Sequence, residues 1–429
     1  MAILVERDHI GIFGKMNSGK SSVMNLLTQQ ETSIVDSTPG TTADTKIALQ
    51  EIHGMGPVKL FDTAGADEGN LLGDKKRKKT FEDLKECDLV LLVIDPSSKD
   101  FIAENNLLSK ARDLDKQVLV IYNLFKEGHA DFITEAERSM PFLRFYQKIA
   151  ITAIDMTYRQ LLLNFILENF ESKNQKLELL PFLEENEYYI LIIPMDVETP
   201  AGRFLRPQAM VEEYITRHWS YPVCFRLDLG KARSNEQGKR EQERNRLNGL
   251  IDGLARPPKA IITDSQAMDV MHKWCPEQIQ LTTFSMVMIN FLSKGRLNDF
   301  VKGINAFDKI QEGERVLIVE ACNHSRIGED IGTVQIPNYL KKEMPGVLID
   351  YNFGREFQEN ENLQKYKLII HCGGCMISPQ KLQSRIRDLE NLGVPFTNYG
   401  IILSYMQGKD VLEKVLDPWN LPKPHRRFA

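Results

Sequence analysis

An apolar run, His9-Ile10-Gly11-Ile12-Phe13, passes directly into Gly14-Lys15-Met16-Asn17-Ser18-Gly19-Lys20-Ser21, and Ser22-Val23-Met24-Asn25-Leu26-Leu27 continues with helical spacing. Strand, G-x-x-x-x-G-K-S loop and helix in that order form a phosphate cradle. Backbone N–H groups of the loop and the helix N-terminus point at the phosphates, Lys20 reaches the β/γ oxygens, and the Ser21 hydroxyl is the Mg²⁺ ligand. Only a buried strand feeding a helix holds such a loop, which commits this part of the chain to an α/β sheet.

The elements that follow keep to one plan. Val58-Lys59-Leu60-Phe61 is a strand ending at Asp62-Thr63-Ala64-Gly65, where an acidic residue makes a second Mg²⁺ contact. Thr38-Pro39-Gly40-Thr41-Thr42-Ala43-Asp44 lies between the two as a loop placed to close over a γ-phosphate. Core strands are expected at 88–95, 117–123 and 149–153, then a helix from Tyr158 to Phe170. This order is that of a small GTPase. The combination of Gly14 to Ser21, Gly40-Thr41-Thr42-x-Asp44 and Asp62-Thr63-Ala64-Gly65 resembles the TrmE-Era-EngA branch. That resemblance implies that Asn17 helps hold a K⁺ ion, that Thr42 ligates Mg²⁺, and that Asp67 or Glu68 orients water, because Ala66 stands where Ras-like enzymes carry glutamine. It also implies GTP contacts from Gly14 through Ser22, Gly65, Asn123, Thr152 and Ala153. One departure stands out: the guanine-reading Asn-Lys-x-Asp is here Asn123-Leu124-Phe125-Lys126, without the aspartate. A site that reads its ligand by hydrogen bonds loses discrimination when one is missing, so guanine selectivity is expected to weaken, with GTP still the default ligand.

A second constellation lies far downstream. Cys322-Asn323-His324 follows the β-branched run Arg315 to Ala321, and His371-Cys372-Gly373-Gly374-Cys375 follows Lys367 to Ile370. Both clusters therefore sit at carboxyl ends of buried strands, where an open α/β sheet gathers its ligands, and they can converge. They hold three of the six cysteines in the chain. Three thiolates suit a soft metal centre, and two glycines let the backbone approach a bulky cluster. A 4Fe–4S cluster fits, with its fourth iron left to His324, His371, a carboxylate, water or an outside ligand. A closed Cys3His zinc site uses the same residues, and Cys372-x-x-Cys375 also reads as a redox disulfide.

Composition bounds the rest. A length of 429 residues suggests about three domains. These are expected at 1–172 (P-loop GTPase), 178–266 (a short α/β unit) and 267–429 (the cysteine constellation), with a polar linker from Glu171 to Glu178. The overall class is α/β, an N-terminal P-loop domain followed by two smaller α/β domains. Hydrophobic content of 42% and charged content of 26% are those of ordinary globular domains. A net charge of −5 argues against a nucleic-acid partner, and no apolar run is long enough to span a bilayer, so a cytoplasmic protein is expected. The basic stretch around Lys239, Arg240, Arg244 and Arg246 reads as a solvated helix face, and Cys224 and Cys275 read as packing residues. No internal repeat is apparent.

The pairing of a P-loop GTPase with C-x-H…H-C-x-x-C, together with Ile370-His371-Cys372-Gly373-Gly374-Cys375-Met376 and Pro395-Phe396-Thr397-Asn398-Tyr399-Gly400, resembles the FeFe-hydrogenase maturation GTPases. The resemblance covers essentially the whole chain. It implies a homodimeric scaffold, with the 178–266 unit serving dimerisation, that carries a 4Fe–4S cluster on Cys322, Cys372 and Cys375, with His324 and His371 nearby. It further implies that the scaffold receives a 2Fe subcluster made with two radical-SAM maturases and passes it to apo FeFe-hydrogenase. Two other classes compete: an RNA- or ribosome-associated GTPase, and a zinc-stabilised regulatory GTPase.

Overall fold

The computed structural model describes residues 7–29, 46–63, 80–171, 178–195, 202–321, 330–354, 362–374 and 377–421. The chain divides into two compact units, Met1–Lys176 and Leu177–Ala429.

In the first unit six strands, β1 (Asp8–Phe13), β2 (Lys46–Ile52), β3 (Gly56–Asp62), β4 (Leu89–Ile94), β5 (Gln117–Asn123) and β6 (Gln147–Ile151), pair in the order β2-β3-β1-β4-β5-β6. All pairs are parallel except β2 with β3. β4 shows why: Leu-Val-Leu-Leu-Val-Ile is buried at all six positions, as a strand covered on both faces must be. Ile10, Leu89, Leu91 and Ile121 pack on one face with Val23 and Leu27 of the helix Lys20–Thr28 and Leu162 and Ile166 of the helix Arg159–Asn169. Phe13, Val90, Leu92 and Val120 pack on the other with Leu107 and Leu108 of the helix Ile102–Asp113. Each fully buried aliphatic side chain contributes roughly 1.5–3 kcal/mol, so the sheet is anchored from both sides.

The second unit holds two four-stranded parallel sheets. β7 (Tyr188–Ile193), β8 (Tyr221–Arg226), β9 (Ala260–Thr263) and β10 (Gln280–Thr283) pair in the order β10-β9-β7-β8. β11 (Arg315–Glu320), β12 (Leu348–Phe353), β13 (Tyr366–His371) and β14 (Phe396–Asn398) pair in the order β12-β11-β13-β14. The two windings are the same: the first strand is flanked by the second and third, and the fourth lies outside the third. A repeat invisible in the sequence is thus plain in the topology, down to one hydrogen bond. Asp264 N–H, just after β9, donates to Ile192 O of β7 at 3.1 Å, and Cys372 N–H, just after β13, donates to Val319 O of β11 at 2.9 Å. One continuous apolar core, running from Leu179 to Trp419, serves both sheets.

Several elements differ from expectation. β2, β10, β12 and β14 were not anticipated; they are edge strands or only three to four residues long, and their polar residues mask the alternation. Near the C-terminus Tyr399–Met406 and Lys409–Leu416 form two helices rather than one, because Gly408 sits at φ 139° between them. Cys275 is buried, as a packing residue should be, but Cys224 is exposed on the edge strand β8. Among the described residues no helix is long and apolar enough to cross a membrane.

Two glycines give opposite expectations. A Cβ on Gly303 would lie 2.0 Å from the Phe396 carbonyl oxygen, whereas one on Gly249, exposed within the helix Gln237–Asp252, would meet nothing within 4 Å. Gly303→Ala should destabilise the second unit by about 1–3 kcal/mol. Gly249→Ala should stabilise it by about 0.5–1 kcal/mol. All three tryptophans, Trp219, Trp274 and Trp419, lie in that unit, so denaturant unfolding followed by tryptophan fluorescence reads both changes.

Candidate nucleotide and metal sites

β1 delivers the phosphate loop at its carboxyl end. A Cβ on Gly14 would lie 2.4 Å from Val93 O of the neighbouring strand, so the chain can turn there only with glycine. Asn17 at φ 62° and Gly19 at φ 92° curl the loop, and Ser18 N–H donates to Lys15 O at 3.3 Å. Met16 and Asn17 stand exposed at the crest. Lys20 is buried, and its Nζ donates to Lys15 O across the loop at 2.8 Å. The Lys15 ammonium pairs with Asp100 at 2.8 Å, tying the loop to the segment that follows β4. Ser22, in the first turn of the helix, is half-buried.

Ser21 and Asp62, far apart in sequence, come together: Ser21 Oγ donates to Asp62 Oδ2 at 2.5 Å. Burial pushes the Asp62 carboxyl up from its ordinary range, while the Ser21 hydroxyl and the Lys20 and Lys46 ammonium groups pull it back. A hydroxyl beside a carboxylate held short of water is a hard-oxygen pair suited to Mg²⁺, whose charge would offset the burial cost. Thr42, Gly65, Asp67 and Glu68 lie outside the described residues.

The base side of the site is organised by one amide. Asn123 is buried at the end of β5; its Nδ2 donates to Ser18 O at 3.0 Å and its Oδ1 accepts from Ala153 N–H at 3.1 Å. It therefore joins the phosphate loop to the loop after β6, which carries Thr152 and Ala153. A Cβ on Gly19 would fall 1.9 Å from Asn123 Nδ2, so that glycine is required by the joint as well as by its φ. Lys126 is exposed, and Ile154, 74% exposed just after Ala153, was not singled out from the sequence. Leu124 and Ile154 give this edge an aliphatic character.

At the other constellation, Cys322, His324 and Cys375 lie outside the described residues. Among the described residues no group of three or more His, Cys, Asp and Glu side chains is placed to hold a metal ion. The half that is described has a specific chemistry. Register sets Val319 opposite His371, so the ends of β11 and β13 adjoin, and Ala321 immediately precedes Cys322. The Cys372 sulfur is buried and accepts from Ala321 N–H at 3.3 Å and Gly374 N–H at 3.4 Å. Two backbone donors on one sulfur stabilise thiolate character and are the kind of contact that tunes iron–sulfur centres, so this cysteine fits such a group. Gly374 takes φ 69°, and a Cβ on Gly373 would lie 3.5 Å from Ser285 Oγ. Ser285 in turn is bonded by Asn398 Nδ2 at 3.0 Å, and Asn398 caps the helix Tyr399–Met406. His371 is buried with both ring nitrogens engaged: Nδ1 with Cys372 O at 2.7 Å and Nε2 with Arg385 Nη1 at 2.8 Å. Ligation of iron by His371 therefore requires Arg385 to give way. Arg385 was missed from the sequence; its signal was a basic residue three positions after Leu382, in the buried stripe with Ile386 and Leu389.

Three family models match successive parts of the chain. Residues 9–124 match the family described as 50S ribosome-binding GTPase, residues 240–294 the hydrogen maturase F dimerization domain, and residues 298–418 the hydrogen maturase F tetramerization domain. The tRNA modification GTPase MnmE of Lactobacillus acidophilus is 39% identical over 114 residues, covering 26% of this chain and 24% of its own. GTPase Der of Nitratiruptor sp. is 32% identical over 114 residues, covering 27% of this chain and 24% of its own. The chain thus spans about a quarter of the length of these relatives. Era of Aquifex aeolicus, a solved structure, aligns at 19% identity over 52% of this chain and 93% of its own with a TM-score of 0.33, a score at which the likeness carries no weight. With a P-loop GTPase domain like that of MnmE in front and both maturase domains behind it, the chain belongs to the hydrogen maturase F (HydF) family.

Proposed function

We propose that this chain is a GTP-hydrolysing scaffold that binds a 4Fe–4S cluster through Cys322, Cys372 and Cys375, takes up a 2Fe subcluster, and transfers it to apo FeFe-hydrogenase. The observation that carries the reading is the buried Cys372 sulfur with two backbone N–H donors, at the end of β13, in a chain that also carries the phosphate loop and both maturase domains. In this reading the cluster, when bound, would supply one iron without a cysteine ligand, as a coordination place for a diiron unit. The chain's own residues hold three irons, shield them with the β11 and β13 ends, and leave His324 and His371 nearby. Self-association of two or more copies fits the dimerization and tetramerization domains, with the region 178–266 assigned to pairing and 267–429 to the cluster. β10, at 280–283, completes the first of the two sheets from within that second segment. The proposed partners are two radical-SAM maturases and the apo-hydrogenase, all cytoplasmic; the net charge of −5 supports no nucleic acid among them.

At the nucleotide, Lys20 and the loop amides hold the phosphates, Ser21, Thr42 and Asp62 hold Mg²⁺, Asn17 serves a K⁺ ion, and Asp67 or Glu68 orients water. Ordering of the γ-phosphate loops is the switch that changes partner contacts. The maturation role is favoured over a ribosomal one because the latter needs no cysteine cluster, and over a zinc-stabilised switch because the chain carries both maturase domains.

Three measurements test these assignments. Anaerobically purified, iron- and sulfide-reconstituted protein is expected to show visible absorbance and a reducible EPR signal that Cys372→Ser loses; colourless protein with stoichiometric zinc would remove the cluster and the scaffold role. Lys20→Ala should weaken GTP binding roughly 10–100-fold, the scale of charge-assisted hydrogen bonds to phosphate, and slow hydrogenase activation. Activation at the normal rate without GTP binding would separate the switch from the transfer. Competition between GTP and ITP, which lacks the guanine amine, should give nearly equal affinities in the native protein. Lys126→Asp should favour GTP by roughly 10–100-fold through the restored carboxylate bonds, and an unchanged ratio would mean the base is read elsewhere.

A further inference from the structure

We infer that Arg385 is a positioning residue that holds His371 away from the open iron, keeping that coordination place for the incoming diiron unit; this rests on the cluster reading above. The argument starts from which atoms can donate. A guanidinium has donors and no acceptor, so in the 2.8 Å contact between Arg385 Nη1 and His371 Nε2 the arginine donates and Nε2 is the bare nitrogen. The ring proton of a neutral His371 is then on Nδ1, where it is donated to the carbonyl of Cys372 at 2.7 Å. Imidazole binds iron through a bare nitrogen lone pair, and the bare one here is occupied.

Arg385 is built to stay in place. The residue is 3% exposed, on the buried stripe of the helix Pro379–Asn391. That helix starts with a proline and is capped by Ser378 Oγ, which accepts from Lys381 N–H at 3.2 Å. The other arm of the guanidinium, Nη2, donates to Gly354 O at the end of β12, at 3.3 Å. One planar fork therefore spans the ends of β12 and β13, and rotating it toward or away from His371 costs the bond to Gly354. His371 is also in the residue next to a cluster cysteine, with its Nδ1–H on that cysteine's own carbonyl. The same arginine that denies the imidazole to iron thereby fixes the Cys372 backbone. Removing the guanidinium leaves a buried imidazole with a vacant lone pair one residue from a ligand, and iron is the acceptor within its chemistry.

The test uses full-length protein with ¹⁵N-labelled histidine. In the reconstituted, reduced native protein, pulsed EPR should show no strongly coupled imidazole nitrogen. Arg385→Met, apolar and of similar length, should gain such a coupling, and Arg385→Met with His371→Ala should lose it again. A His371-dependent coupling already present in the native protein, or none in a cluster-loaded Arg385→Met, overturns the inference. Should Arg385→Met fail to fold, ¹⁵N NMR of the native apo-protein still decides, with His371 assigned by its loss in His371→Ala. A neutral Nδ1–H tautomer is expected, and an Nε2–H tautomer or an imidazolium overturns it. Absence of any cluster in the native protein would instead overturn the scaffold reading, and the NMR result would remain readable.

Discussion

Parallel strand pairing is the constraint on which both sites depend. Among the described strands it sends all but β2 in the common direction of their sheet, so the loops that leave their carboxyl ends emerge on one edge. In the first unit that edge receives the phosphate loop after β1, Asp62 at the end of β3 and Asn123 at the end of β5. In the second unit the same arrangement sets Ala321 after β11 beside Cys372 after β13, locked by the bond from Cys372 N–H to Val319 O. Slipping either pair by one residue would turn the ligand side chains to the opposite face. The twin winding of the two C-terminal sheets gives Asp264 the place that Cys372 holds in the other, and there it caps a short helix. One architecture thus ends in a helix cap in one copy and in a buried thiol with two backbone donors in the other.

Burial gives these sites their chemistry at a cost that hydrogen bonds offset. Asp62 is held short of water and its carboxyl is raised by that burial, with Ser21 and Lys20 countering it. Cys372 loses solvent but gains two backbone donors, and His371 gains Arg385 and a carbonyl. Leaving any of these groups unmatched would cost about 1–3 kcal/mol, so the polar residues of both shelves are fixed in number and direction. Fixed direction is what allows a loop amide or a sulfur to serve as part of a site rather than as a solvated surface group.

Much of this was legible in the chain before folding. The G-x-x-x-x-G-K-S turn, the apolar strands β1, β4, β5, β7, β11 and β13, and the helix Pro379–Asn391 carry strong local signals, because burial on both faces or one helical stripe writes itself into residue order. The missing guanine-side aspartate, replaced by Lys126, is equally a sequence fact. Less legible were the short edge strands β10, β12 and β14, whose partners rather than their composition make them strands. Cys224 misled because its type is usually buried, whereas its position on an edge strand leaves it exposed.

What the sequence by itself determined is the inventory: a phosphate loop of fixed spacing, cysteines following two β-branched runs, and an α/β chain throughout. Those follow from covalent order and the local periodicity of burial. Only the tertiary structure decided that Ser21 meets Asp62, that Asn123 bridges two loops, that the C-terminal half repeats one winding, and that Arg385 occupies the free nitrogen of His371. The physical reason is that hydrogen-bond partners are chosen by proximity after the core has packed, and no local pattern records which distant donor will arrive.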